Sequence, residues 1–357
     1  MKMSGIEHAL IGLITVAIIV GVWMWVNRDR NRFRQLIVVT AVATFILIIL
    51  GAYVRLSDAG LGCPDWPGCY GNLTPHHSVE EIRAAEAVMP GGPVSMAKAW
   101  KEMLHRYLAM VVGALIAAIM LAAWRNRVAF AQSPLLASVL AAAVIFQAAL
   151  GAWTVTMLLK PAIVTSHLLG GIAILVLLAL LSAMQPGSGK LGTRIIASRG
   201  LKLFAVLAAC VLFMQIVLGG WTSTNYAALA CVDLPKCNGQ WLPNMDFGNA
   251  FHVIRPLGIG PDGELLTLDA LRAIHWMHRV GAIIATVVLG LFAWRLMRND
   301  PADVSGKLLA AMLIAQVMLG LSNVWFSLPI AVAVAHNGVA ALLMTLMART
   351  IYRMNKA

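Results

Sequence analysis

The stretch Glu102-Met103-Leu104-His105-Arg106 heads an apolar run that continues to about Trp124. An edited copy, His275-Trp276-Met277-His278-Arg279, heads another such run, with His278 lying 173 residues after His105. Both copies put an ionisable side chain three positions before a His-Arg pair. On a helix, positions i and i+3 share a face. The first copy is therefore predicted to aim a carboxylate and an imidazole at one spot, and the second to aim two imidazoles.

Runs of this length decide the fold. Of 357 residues, 60% are hydrophobic and 12% charged, where an ordinary globular chain has about 25% charged. Runs of roughly 20 apolar residues recur, the length of a helix that crosses a bilayer, whereas a barrel would need short alternating segments. The formal charge of +12 does not point to nucleic acid, because the Lys and Arg gather in short connections where they set topology. The first run, Ile6 to Val26, is too long for a signal peptide and lacks a small-residue cleavage site, so it reads as a span.

Nine spans are predicted, at about 6–26, 35–54, 100–124, 134–158, 162–184, 201–223, 271–297, 307–328 and 330–350. The odd number places the termini on opposite sides. Arg28, Arg30, Arg32, Arg34, Arg125, Arg127, Lys190, Arg194, Arg199, Lys202, Arg295, Arg298 and Lys307 mark one face as cytoplasmic. The long, acid-bearing loops at about 55–99 and 224–270 then lie outside, each long enough to fold into a cap over the helix mouths.

The chain is also duplicated. Leu50-Gly51-Ala52 and Leu218-Gly219-Gly220 end matching spans; twelve residues after Gly51 and Gly219 come Cys63 and Cys231, each followed by a second cysteine, Cys69 and Cys237. The His-Arg pairs come next, then Gln147-Ala148-Ala149-Leu150-Gly151 and Gln316-Val317-Met318-Leu319-Gly320, then Pro161 with His167 and Pro329 with His336. The predicted fold class is an all-α polytopic membrane protein of two tandem four-helix bundles. An even number of spans per repeat implies a pseudo-two-fold axis along the membrane normal. The predicted divisions are 1–34, an extra N-terminal span with its basic loop; 35–199, the first repeat; and 200–357, the second.

His105, His167, His278 and His336 each fall within about two turns of the outer end of their spans, at one shallow depth. A lone intramembrane histidine is ordinarily a hydrogen-bonded packing residue. Four at matched depth, two per repeat, point instead to ligation, since ionisable groups in a bilayer are costly and usually functional. Imidazole pairs between apolar walls suit bis-His haem better than zinc. Arg106 and Arg279, each following a ligand candidate, and Arg55 at the end of the second span are candidate partners for haem propionates, with snorkelling to headgroups as the equal alternative.

In an oxidising compartment, Cys63 with Cys69 and Cys231 with Cys237 default to disulfides, structural or redox-active. A zinc site made from all four fits less well, because each pair is local to its own repeat. Cys210, mid-span, is expected in the core.

The run Gly51-Ala52-Tyr53-Val54-Arg55-Leu56-Ser57-Asp58-Ala59-Gly60-Leu61-Gly62-Cys63-Pro64-Asp65-Trp66-Pro67 resembles the first outer loop of haem A synthases, as does Glu102-Met103-Leu104-His105-Arg106. The resemblance covers about residues 35–350, and the chain departs from the family's eight-span form by the span at 6–26. It implies an enzyme of the bacterial inner membrane that converts haem O to haem A by oxidising a ring methyl to a formyl group. It further implies a resident haem B on His278 and His336, the substrate haem O site at His105 and His167, and Glu102 as the catalytic carboxylate. Cys63 and Cys69 would form the family's functional disulfide. A haem O synthase and a membrane electron acceptor are the expected partners, with a homo-oligomer left open.

The residues themselves support this independently, because Glu102 in one repeat is His275 in the other: a carboxylate beside one site only. The competing reading is a di-haem, b-type, quinol-oxidising cytochrome that leaves its haem unmodified and gives Glu102 no required task. A transporter explains the duplication but not the polar cluster near one face. A disulfide-generating oxidoreductase leaves the histidines unexplained.

Overall fold

Oxygen-bearing side chains just ahead of the apolar runs start many of the helices. Asp29 accepts the Asn31 and Arg32 N–H groups at the head of α1 (Arg30–Leu56), and Ser95 accepts that of Lys98 at the head of α3 (Met96–Arg125). Ser198 and Thr267 do the same for α6 (Arg199–Thr224) and α8 (Leu268–Asn299). Proline precedes or opens α4 (Leu135–Thr156), α5 (Pro161–Ala183) and α10 (Ile330–Asn355), where its missing N–H costs nothing. Ser305–Trp325 forms α9, and two short helices, α2 (Val79–Val88) and α7 (Phe247–Ala250), lie in the long loops.

This computed structural model describes residues 16–22, 24–26, 29–130, 132–186, 193–260 and 263–356. Among them, eight helices are long and apolar enough to cross a membrane, so the chain is an all-α, multi-pass membrane protein. Each overlaps a predicted span. The first predicted span, 6–26, lies mostly outside the described residues; 16–22 and 24–26 are helical, and Val22 and Val26 join the apolar core of the first unit.

The chain forms two compact units: Met1–Leu159 with Ala173–Gly187, and Lys160–Ile172 with Ser188–Ala357. In the first, α1 packs on α3 and α3 on α4. Their core, including Phe33, Ile37, Ile116, Ile119 and Leu140, also takes Ile174, Leu178 and Leu181 from the second half of α5. In the second unit, α6, α8, α9 and α10 pack in a closed ring, so α8 and α10 are the diagonal pair. The first half of α5 joins it: the Thr165 and Thr224 hydroxyls lie 3.2 Å apart, and Gly220 abuts Thr165 and Leu168. Packing therefore divides α5 within its length.

Some buried polar groups in the helices are answered locally. The Thr40 and Thr44 hydroxyls donate 2.8 Å bonds to carbonyls one turn back. At the basic end of the second unit, the buried Arg353 pairs with Asp303 and donates to Ser305 Oγ and to the Thr193 carbonyl; those donors hold the Asp303 carboxyl below the usual range against the opposing effect of burial. Cys210 corrects the expectation of a core position, since its side chain is exposed on α6. Lipid is as apolar as a core, so residue type alone does not separate the two.

The duplication extends to the backbone. Non-glycine residues with positive φ recur at matching places: Asp58 and Tyr226 (49° and 56°), Tyr70 and Asn238 (52° and 53°), Leu158 and Ser327 (51° and 55°), Leu159 and Leu328 (57° and 64°). An antiparallel bridge follows each cysteine pair, Cys69 with Asn72 and Cys237 with Gln240. The long loops fold as caps, each within its own unit. Ile82 of α2 is fully buried with Cys63, Cys69, Ala99 and Met103, while Trp221, Ala250, Ala273 and Ile274 form the counterpart cluster in the second unit.

Candidate functional site

Glu102 does not turn toward the bundle with His105. At about 100° per residue, Glu102 and His105 lie about 60° apart around the helix, and Glu102 and Arg106 only about 40°. Packing on the loop decides between them. Glu102 Oε1 accepts from the Arg106 guanidinium at 2.5 Å, and Oε2 accepts the Cys63 N–H at 2.9 Å. Arg106 also donates to the carbonyls of Asp65 (2.8 Å), Gly68 (2.6 Å) and Pro67 (3.3 Å). Gly62 makes this approach possible: a Cβ there would lie 2.6 Å from the Lys98 backbone carbon of α3. The Cys63 and Cys69 sulfurs are bonded, 2.11 Å apart. Inside the loop, the Asp65 carboxylate accepts the Tyr70 and Gly71 N–H groups, each at 2.6 Å.

The second copy repeats the arrangement with neutral chemistry. His275 Nδ1 lies 3.2 Å from the Cys231 N–H, and Arg279 Nε lies 3.3 Å from His275 Nε2. Arg279 donates to the carbonyls of Asp233 (2.8 Å), Lys236 (2.9 Å) and Cys231 (2.8 Å), beside the bonded Cys231 and Cys237. The Gly239 N–H, with that of Asn238, holds the Asp233 carboxyl below its usual range. A neutral imidazole has one acceptor nitrogen, whereas a carboxylate has about four acceptor sites. Glu102 therefore satisfies both donors fully and His275 only one. Arg106 and Arg279, candidate propionate partners by sequence, are engaged here as staples of their cysteine loops. Arg55 lies 3.6 Å from Asp58.

Truncating either staple is expected to free its loop. Arg106→Ala leaves the buried Glu102 charge unpaired, at a cost of about 3–5 kcal/mol of local stability. Amide hydrogen exchange in the Cys63–Cys69 loop should accelerate by about 100-fold or more, the factor that a 3 kcal/mol loss corresponds to. Unchanged exchange would exclude the staple.

The histidines are seated on glycine. A Cβ added to Gly51 of α1 would lie 3.0 Å from His105 Cε1, one on Gly219 of α6 3.1 Å from His278 Cε1, and one on Gly320 of α9 3.1 Å from His336 Cε1. These three glycines are thus notches that let the rings of His105, His278 and His336 lie against the neighbouring helix. His105, His167, His278 and His336 are only partly buried, so none is sealed in packing. His105 falls in the first unit, and His167 lies in the first half of α5, which groups with the second.

His278 and His336 come from the diagonal helices of the second unit. Among the described residues, buried His336 Nδ1, Gln215 Oε1, Gln316 Oε1, Asn323 Oδ1 and Asn337 Nδ2 have no hydrogen-bond partner. Unanswered polar atoms are costly in a bundle interior. Together with the notches and two imidazoles, they fit a group with a metal centre held across the bundle, as a bis-His haem would be. Gln316 Nε2 lies 3.3 Å from His336 Nε2, and Gln215 Nε2 lies 3.0 Å from His278 Nδ1. Gln215 was not singled out by sequence; the available signal was an amide inside an apolar span, one turn before Gly219. Asp65 and Asp233 were also missed as loop-forming residues, although each stands two positions after the first cysteine of its pair.

The fold defines a polytopic helical membrane protein, duplicated in sequence, whose imidazoles line its bundles without being packed shut. Residues 34–348 match the cytochrome oxidase assembly protein family (COX15-CtaA), and the chain belongs to that family. It is 44% identical over 312 residues to the heme A synthase of Shewanella oneidensis, spanning 86% of this chain and 92% of that protein. The heme A synthase of Alkalihalophilus pseudofirmus is 25% identical over 322 residues (88% and 94% of the two chains). That of Sphingopyxis alaskensis is 27% identical over 336 residues (88% and 90%).

Proposed function

We propose that the chain is a haem A synthase, which oxidises the ring methyl of haem O to a formyl group and so makes haem A for terminal oxidases. The observation that carries this reading is the exchange of Glu102 for His275 between two halves that otherwise hold their cysteine loops alike. A carboxylate in one half only suits one reacting site and one electron-transfer site. His105 and His167 belong to the substrate site. His278 and His336 hold the resident haem B, whose iron supplies one-electron transfer when bound. Glu102 stabilises the positive charge that builds at the reacting carbon and takes up a proton released there. Arg106 and the Cys63 and Gly62 N–H groups engage it, and of about four acceptor sites on a carboxylate one is left for that proton.

The basic helix ends face the cytoplasm in this reading, and the histidines and cysteine loops lie near the outer face of the bacterial inner membrane. A haem O synthase and a membrane electron acceptor remain the proposed partners. Extracting the haems from purified protein and weighing them tests the function. Haem O, its hydroxymethyl form or haem A beside haem B is the expected result; haem B alone would point to the di-haem cytochrome.

The glycine notches give a further test. Gly219→Val should crowd His278, destabilise the holoprotein by about 1–3 kcal/mol and lower its haem content. Gly113→Val is the control, since an added Cβ there meets nothing within 4 Å. Equal haem content in the two variants would reject the notch as part of the site.

A further inference from the structure

Three cations stand at the outer end of α3: Lys98, Lys101 and Arg106. Lys98 donates to the Gly92 carbonyl at 2.8 Å, and Arg106 is taken up by Glu102 and the cysteine loop. Lys101 is half-buried and has no hydrogen bond or ion pair among the described residues. Its Nζ lies 5.0 Å from the centre of the Tyr53 ring of α1. It stands one turn, about 6 Å, outward of His105, and the two side chains lie only about 40° apart around the helix. Glu102 flanks His105 on the other side, at about 60°. The neighbours on α1 agree with this order: Gly51 seats the His105 ring, and Tyr53, two residues further out, lies under Lys101. The ring covers one side of an ammonium group that has three N–H donors.

The second half seats its cation otherwise. By the repeat offset of 168, Tyr53 falls on Trp221, and a cation lies over that ring too: Arg255, 5.7 Å from its centre. Arg255 comes from the outer loop, is 2% exposed and donates to the Asn225 side-chain oxygen. The place of Lys101, carried forward by 173, is held by Ile274, 1% exposed. One half thus seals its cation, and the other keeps an uncommitted one a turn above its ligand candidate. Resting on the reading of His105 as part of the substrate site, we propose that Lys101 binds a propionate of haem O. A carboxylate takes an ammonium donor by a charge-assisted hydrogen bond, and the Tyr53 ring steadies the ammonium from its other side. A substrate that enters and leaves is served by a charge it can reach without breaking a buried pair, and Lys101 meets that condition where Arg106 does not.

The test is a titration of purified, full-length protein carrying its resident haem, with haem O and with the dimethyl ester of haem O, followed by difference absorbance. Lys101→Met keeps the apolar stem and removes the charge. It should weaken haem O binding by about 10-fold or more, the scale of a hydrogen bond to a charged group. Binding of the ester, which has no propionate charge, should be the same in the variant as in wild type. Lys101→Arg should bind both forms as wild type does. An equal loss for acid and ester marks a packing role, and no loss for either leaves Lys101 outside the site; each overturns the proposal. Failure of the synthase reading is a separate result, read as wild-type protein that takes up neither form of haem O, and it would carry this proposal down with it.

Discussion

Glu102→Gln is expected to cut the conversion of haem O in a membrane assay by about 10²- to 10⁴-fold, the usual contribution of a positioned acid–base group. The carboxylate is also structural, since it holds the Cys63 N–H and the Arg106 guanidinium, so loss of activity alone would not separate catalysis from loop collapse. The second half of the chain suggests the control. Glu102→His copies His275, which sits under its own cysteine loop beside its own arginine. That variant should keep the Cys63–Cys69 loop protected in hydrogen exchange and still lose conversion. Full conversion by Glu102→Gln would sink the catalytic assignment, and full conversion by Glu102→His would reduce Glu102 to a staple.

His278→Ala and His336→Ala should each abolish the low-spin spectrum of the resident haem while the protein still inserts. Insertion depends on the apolar length of α8 and α10, which one substitution barely alters. In the proposed reading both imidazoles would hold the bound group, so removal of either would cost the low-spin signature. His275→Ala serves as a comparison: it lies three residues from His278 on the same helix but faces the Cys231 loop, so the spectrum should survive. An unchanged spectrum in either ligand variant would remove that residue from the site.

Much of this was legible in the chain. The spans and the order of repeated landmarks follow from local chemistry: hydropathy over some 20 residues and a glycine at a fixed offset. The histidines were legible because imidazole is costly in lipid and recurs at matched positions. The use of each landmark was not. Helical periodicity allowed Glu102 to face either His105 or Arg106, and only contact with the folded Cys63–Cys69 loop chose Arg106. Likewise Cys210, expected in the core from its mid-span position, is exposed on α6.

The sequence by itself determined a duplicated helical membrane protein with four histidines at matched positions, two cysteine pairs and a single carboxylate-for-imidazole exchange, because each is a matter of composition, period or offset. Tertiary structure alone decided what those residues touch. The repeated glycines became seats for imidazole rings, the arginines became staples for the cysteine loops, and Gln215 came to lie against His278 across 63 residues of chain. The physical reason is common to all three. A side chain's partner across helices depends on how the bundle packs, and no local pattern in the chain encodes that distance.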